Sequence, residues 1–340
     1  MAAEHKLTYD EIRERQAIPY EIKLRMSLNR VRDFINYYGE SSVAICFSGG
    51  VDSTMAVHFI RNYCGYDKVK AISVIGIENK YNIDLILKTE NVDIVKVRYS
   101  QKEILERFGV PIISKRVSKS LKALQNPTEK NANIRNLALT GITSEGRKAP
   151  TYKLAKKWHF LIDAPFKISN QCCYYMKETP LEKYAKEKGY GTISAITAEE
   201  SKNRMDGYAK QGSCNVFKGN GYSTPFAFWT HQDILRYLYE NQVEISEAYG
   251  EIVEENGVYR TTKAQRTGCP VCLFGMQFDG YPNRFQRMYY EDHRQWKNAL
   301  VGMGLKEVLD FMVENGHPEY KYYPEEIEER IKAGELAPEI

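Results

Sequence analysis

Nowhere in its 340 residues does the chain hold an apolar run approaching the roughly 18 residues that a membrane helix needs. Met1 to Lys6 carry no apolar stretch behind their charges, so a secretory leader is not expected, and the expected location is the cytoplasm. Cysteine is scarce: seven residues, unevenly placed, are too few for the disulfide framework of a small secreted domain. Reduced thiols are expected instead, and their clustering points to metal. No internal repeat or low-complexity tract is visible. What remains is 43% hydrophobic and 27% charged, the make-up of a soluble globular protein with one large core or two modest ones.

The apolar run Val43-Ala44-Ile45-Cys46-Phe47 leads into Ser48-Gly49-Gly50-Val51-Asp52-Ser53-Thr54. Adjacent glycines let successive backbone N–H groups face one point without Cβ clashes, and Ser48, Ser53 and Thr54 add hydroxyls at the start of a helix. That outlines an oxyanion cradle. A plain strand-to-helix turn capped by Asp52 or Ser53 is the alternative, but a buried-type strand before the loop and an apolar helix face after it (Met55, Ala56, Phe59, Ile60) favour a phosphate loop. The lysine that a Walker loop places before its last hydroxyl is missing.

The net charge of +4 hides an asymmetry. Between Ile112 and Phe160 stand eleven basic residues, Lys115, Arg116, Lys119, Lys122, Lys130, Arg135, Arg147, Lys148, Lys153, Lys156 and Lys157, against Glu129 and Glu145. This segment is +9 and the remainder of the chain −5. Such a stretch suits a polyanion such as nucleic acid, or else is a solvated, mobile insertion, with Asn126-Pro127-Thr128 and Gly141 to Pro150 as flexible loop.

The pattern predicts a helical arm over 1–40, with Pro19 dividing two helices and Gly39 ending the second. Apolar runs Val43–Phe47, Val69–Ile75 and Val92–Val97 alternate with helical segments Thr54–Tyr63 and Asn82–Thr89, and a fourth run, Thr192–Ile196, follows a helix over Lys177–Glu187. The fold class expected is α/β: an open parallel sheet with crossover helices over 41–275, holding the basic insertion 112–160, and a C-terminal helical extension over 276–340 with a solvated acidic helix near Glu325–Glu329. In such sheets ligands lie at the carboxyl ends of the strands, where the first strand brings Ser48 to Ser53 and the fourth brings Glu199, Glu200 and Ser201.

Cys172-Cys173 and Cys269-Pro270-Val271-Cys272 supply four soft thiolates, suited to zinc or an iron–sulfur cluster. Adjacent cysteines reach one ion poorly because their side chains diverge, whereas several irons can take one thiolate each. Cys214, Cys46 and Cys64 read as structural thiols, with a sulfur carrier or alternative ligand as the sharper role for Cys214. His58 reads as packed on the loop helix.

Ser48-Gly49-Gly50-Val51-Asp52-Ser53 resembles the S-G-G-x-D-S signature of the PP-loop adenine nucleotide α-hydrolases. Cys172-Cys173 through Leu181 resembles the C-C-x-x-x-K-x-x-P-L segment of the adenylyl-sulfate and phosphoadenylyl-sulfate (PAPS) reductase family, and Cys269-x-x-Cys272 its partner segment. Glu200-Ser201-Lys202-Asn203-Arg204 is similar to its E-S-x-x-R, and Pro225 to Thr230 to its P-x-x-x-W-T. Gly109-Val110-Pro111, Ser114-Lys115, Lys167-Ile168-Ser169 and Arg266-Thr267-Gly268-Cys269 resemble a bacterial and phage branch. The likeness spans about 40–275.

The resemblance implies an adenine nucleotide-binding fold holding ATP or phosphoadenylyl sulfate at Ser48, Gly49, Gly50, Asp52, Ser53, Thr54, Gly76, Glu200, Ser201 and Arg204, with magnesium as a candidate companion. It implies catalytic roles for Ser48, Asp52, Ser53 and Arg204, phosphate contacts from Lys202, and a four-iron four-sulfur cluster on Cys172, Cys173, Cys269 and Cys272, with zinc as competitor. The chain departs from the family in three places. No cysteine follows Cys272, so the reductases' C-terminal nucleophile is missing; Met176 replaces an arginine; Ile75 replaces the threonine before Gly76.

The expected function is ATP-dependent adenylation with pyrophosphate release and sulfur transfer to a nucleic acid or small molecule, with a sulfur donor protein as a candidate partner. The alternatives are a sulfonucleotide reductase using an external thiol and a non-catalytic nucleotide or redox sensor.

Overall fold

A computed structural model describes residues 7–76 and 78–340; Met1–Lys6, read above for their lack of an apolar stretch, and Ile77 lie outside the described residues. The strands are β1 Val43–Cys46, β2 Lys70–Val74, β3 Val92–Val95, β4 Ile112–Ile113, β5 Gly191–Ile193, β6 Asn215–Val216, β7 Tyr222–Ser223, β8 Ile252–Glu255, β9 Val258–Thr261 and β10 Leu273–Phe274. Two compact units emerge, Met1–Val97 with Glu178–Gly268 and Arg98–Lys177 with Cys269–Ile340.

The first unit is α/β. Its sheet runs β3-β2-β1-β5-β7-β6, and every neighbouring pair is parallel except β6 with β7. The sheet is therefore mixed, a correction to the wholly parallel expectation: Asn215–Val216 and Tyr222–Ser223 are joined by a connection too short for a crossover helix, so they pair antiparallel. Val43, Ala44 and Ile45 are buried, as a strand covered on both faces requires. From β1 the chain passes to β2 and β3 on one side, then returns through β5 on the other, so strand order reverses at β1. The helices Val51–His58, Lys80–Lys88 and Thr179–Lys188 precede β2, β3 and β5 respectively. The strands are shorter than the apolar runs; Phe47 still donates its N–H to the Ile72 carbonyl at 2.9 Å before the chain turns away.

Pro19 caps the helix Tyr20–Tyr38, and Gly39 ends it at φ +85°. Lys23 on this helix is buried and paired to Asp233 at 2.6 Å, a carboxylate that also accepts from Thr230 N–H and hydroxyl at the start of helix His231–Glu240. Phe59, Phe226, Trp229 and Tyr237, all fully buried, pack mostly edge to face in the core of this unit. Asn256 and Gly257, both at positive φ, make the two-residue turn joining β8 to antiparallel β9. That Asn-Gly signal went unread in the sequence.

In the second unit β10 pairs parallel with β4. The basic segment is built rather than loose: helices Lys115–Gln125 and Ala132–Thr140 and 3₁₀ turns Glu129–Asn131, Pro150–Tyr152 and Lys156–Asp163 occupy it. Val117, Ser118, Leu121 and Ala123 face inward from the first helix. Gly141 to Pro150, expected as flexible loop, closes on itself through Thr143 N–H to Arg147 O at 2.9 Å and Ala149 N–H to Gly141 O at 2.7 Å. The His317 ring stacks on Trp158 at 4.4 Å and on Phe160 at 5.5 Å. The C-terminal extension is helical, and its acidic helix Glu325–Lys332 buries no residue. Among the described residues no helix is long and apolar enough to cross a membrane.

Candidate functional site

The Ser48–Ser53 turn lies at the carboxyl end of β1 and enters helix Val51–His58 with Gly50 as its N-cap. The loop holds its own shape. Ser48 N–H donates to Ser53 Oγ at 3.1 Å, the two serine hydroxyls lie 3.2 Å apart, and Ser53 Oγ donates to Gly50 O at 2.9 Å. Ser53 is thus spent on the turn, while Ser48 is exposed at its rim. Gly49 sits at φ +70°, and a Cβ there would meet the Asn82 carbonyl at 2.5 Å. A Cβ on Gly50 would lie 3.2 Å from the Tyr249 hydroxyl.

Three residues not singled out individually in the sequence surround this turn. Asn82 Nδ2 donates to Thr267 Oγ1 at 2.8 Å, and the Tyr249 hydroxyl lies 2.7 Å from the same oxygen. Two buried polar atoms here have no partner among the described residues, Asn82 Oδ1 and Thr54 Oγ1. Thr267 carried a signal only within Arg266-Thr267-Gly268-Cys269; Asn82 and Tyr249 carried none, because one reads as a helix residue and the other as core.

Asp52, half-buried beside the loop, has its carboxyl raised to about 6, chiefly by burial and then by the Glu200 and Glu199 carboxylates, with Arg266 opposing. Glu200 lies between two guanidinium groups, 3.5 Å from Arg204 Nε and 3.5 Å from Arg266 Nη2. Ser201 caps helix Lys202–Gln211 by accepting the Arg204 N–H at 3.3 Å. Arg204 and Ser201, expected to contact nucleotide, thus have protein partners here. Glu199 accepts the His231 N–H, and burial holds the His231 imidazole below its ordinary range. Gly76 follows β2, next to β1, and is exposed.

All four candidate ligand cysteines fall in the second unit. Val110 N–H donates to Lys167 O at 2.8 Å, Ser169 N–H donates to Val110 O at 3.0 Å, and β4 pairs with β10 two residues later. Residues 110–113 therefore align both the stretch before Cys172 and the strand that starts after Cys272. Gly109, at φ +104°, lets this happen: a Cβ would meet the Lys167 backbone at 2.7 Å. The Cys172 thiol is pushed up by burial and then by Cys269, Cys173 and Cys272, with Lys177 opposing. Burial, then Cys269, raises Cys272 to about 12, and burial raises Cys269. Cys269 Sγ accepts from Gln101 Nε2 at 3.0 Å, Cys272 Sγ from Phe274 N–H at 3.4 Å, and Arg284 Nη1 donates to Cys272 O at 2.6 Å.

Among the described residues, no group of three or more His, Cys, Asp or Glu is arranged to hold a metal ion. The four thiols sense one another electrostatically without closing on one point. Their soft donors and the contacts donated to Cys269 and Cys272 sulfur suit a thiolate-bound metal group, zinc and iron–sulfur alike.

The seven cysteines are all free. Cys214 is 3% exposed in the core of the first unit, with the Tyr208 hydroxyl 3.5 Å from its sulfur. Burial pushes the Cys46 and Cys64 thiols up to about 12. His58 Nδ1 lies 2.9 Å from the Tyr237 hydroxyl, tying the loop helix to helix His231–Glu240. No family model matches the chain, and no curated protein matches it.

Proposed function

We propose that the chain is a PP-loop enzyme of the PAPS reductase type, with an adenine nucleotide α-hydrolase-like fold, that binds ATP and activates an acceptor oxygen for sulfur transfer. The observation that carries this reading is the place of the Ser48–Ser53 turn. It stands at the carboxyl end of β1, where strand order reverses, and runs into a helix N-terminus. The glycine backbone with no Cβ, and the Thr54 hydroxyl beside it, which has no partner among the described residues and can donate, fit an oxygen-rich ligand.

In this reading an acceptor oxygen attacks the α-phosphorus of ATP, the bond from that phosphorus to the bridging oxygen breaks, and pyrophosphate leaves with the electron pair. A sulfur nucleophile from an external donor then attacks the adenylated carbon; the carbon–oxygen bond breaks and AMP departs. The loop N–H groups stabilise charge growing on pyrophosphate, an effect of about 3 kcal/mol per well-aimed donor. Asp52, whose carboxyl burial raises to about 6, can take up and release the acceptor proton. Arg204 and Arg266 exchange Glu200 for phosphate oxygens. Cys172, Cys173, Cys269 and Cys272 would hold a four-iron four-sulfur cluster, which when bound supplies sulfide-holding or electron-storing chemistry.

The test is to incubate anaerobically purified protein with ATP and, separately, with phosphoadenylyl sulfate and a small thiol. Pyrophosphate and AMP support the reading. Sulfite alone shifts it to a sulfonucleotide reductase using an external thiol, and nucleotide binding with no product shifts it to a sensor. Because Cys214 is buried and no cysteine follows Cys272, labelled phosphoadenylyl sulfate should leave no sulfonyl adduct on the protein.

A further inference from the structure

The basic segment carries a charge that the loop chemistry does not use. Nine of its eleven cations are exposed; Lys122 and Arg135 are the half-buried two. Lys122 is occupied in donating to Gln171, and Arg135 in donating to Asn131 and the Thr128 carbonyl. Six of the exposed ones, Lys115, Arg116, Lys119, Lys130, Lys156 and Lys157, stand on helices or 3₁₀ turns. On helix Lys115–Gln125 the inward face is Val117, Ser118, Leu121 and Ala123, which leaves Arg116 and Lys119 on the outer face. This helix has no acid in its first turn and places Lys115 and Arg116 there, the sign that a helix N-terminus disfavours. A sequence that breaks this local rule at an exposed site marks a function other than folding.

The Arg116 guanidinium lies 5.7 Å from the Tyr152 ring centroid, and Tyr152 is 38% exposed, with Lys153 following it on the surface. Lys157 stands over the Trp158 ring at 4.7 Å. A single small anion needs convergent, partly buried donors; here the cations are exposed and spread along the segment, which suits repeated phosphates along an extended polyanion. Cations beside an exposed aromatic ring add a surface on which a base can stack.

We propose that the face carrying Arg116, Lys119, Tyr152 and Lys153 docks a single-stranded nucleic acid through its phosphates, with Tyr152 as a stacking contact. This inference is independent of nucleotide turnover at the glycine loop. The test uses the full chain and a fluorescein-labelled single-stranded oligonucleotide of mixed sequence, followed by anisotropy over a salt series without ATP. Wild type is expected to bind at low salt, with each phosphate neutralised contributing about −0.7 to the log–log salt slope.

The triple variant Arg116→Glu, Lys119→Glu, Lys153→Glu should bind at least about tenfold more weakly with a shallower slope. Tyr152→Ala should weaken binding while keeping the slope. A charge-matched control, Lys186→Glu, Lys210→Glu, Lys218→Glu on the other unit, should retain wild-type binding, and circular dichroism checks that each variant is folded. No binding at low salt, an equal loss in the control, or tight binding by the first triple would overturn the proposal. So would preferential binding to vesicles of anionic phospholipid over the oligonucleotide.

Discussion

The glycine loop and the cysteine set differ in how far along the chain their parts must travel. Ser48, Gly50 and Ser53 close their turn among themselves, within six residues. The cysteines come from two stretches separated by residues 174–268, and a third stretch, residues 110–113, aligns them through backbone pairs. A self-contained turn writes its geometry in adjacent letters; an assembled set writes only its ligands and leaves their alignment to residues with no ligating chemistry. Gly109 and Gly49 serve the same purpose in the two regions, each admitting backbone where a Cβ would collide.

The largest expected effects break this comparison from both ends. Gly49→Ala places a Cβ at 2.5 Å from the Asn82 carbonyl in a left-handed conformation, and Gly109→Ala places one at 2.7 Å from the Lys167 backbone. Each should destabilise its unit by about 2 kcal/mol or more in urea unfolding. Their functional consequences should separate. Gly49→Ala loses ATP binding with iron and acid-labile sulfide retained after anaerobic purification, and Gly109→Ala loses iron and sulfide with ATP binding retained. Loss of both properties in both variants, with the fold intact, would show the two regions to be one functional element. About one zinc with no acid-labile sulfide in wild type would replace the cluster by the competing metal.

A smaller effect concerns pH. The Asp52 carboxyl is raised to about 6 against the ordinary aspartate value of about 4. Over that window the native state binds a proton that the unfolded chain has released, so this group makes stability fall as pH rises from about 4 to about 6, with the full cost present above it. Asp52→Asn should flatten that part of the urea-stability profile, and an unchanged slope would show that Asp52 ionises as freely in the fold as in the unfolded chain.

The smallest effect sharpens the account of the loop's surroundings. Tyr249→Phe removes the hydroxyl that meets Thr267 Oγ1 at 2.7 Å, and should cost about 1 kcal/mol of stability. ATP affinity should fall about fivefold if that hydroxyl steadies the helix N-terminus under the nucleotide, since such a change corresponds to about 1 kcal/mol. Wild-type affinity at reduced stability would leave Tyr249 a packing residue.

Much of the first unit was legible because its signals are local. Pro19 and Gly39 punctuate the arm, a buried strand reads as a continuous apolar run, and two glycines before a helix can be recognised from a few residues. The antiparallel edge strand β6 was missed because two residues carry too little pattern, and the order within Gly141 to Pro150 because it comes from backbone pairs and from hydroxyl and amide contacts of Thr140, Thr143 and Asn136 that depend on how the turn closes.

By itself the sequence determined the chemistry on offer: a glycine cradle without a lysine, four clustered thiols with none after Cys272, and one densely basic segment. Only tertiary structure decided that Ser53 is consumed by the turn, that Glu200 sits between Arg204 and Arg266, and that Asn82, Thr267 and Tyr249 join at the loop. Residue type and short spacing are properties of the chain alone. Hydrogen-bond partnership and burial depend on which distant segments meet, and that is set by strand order and packing, which no single stretch encodes.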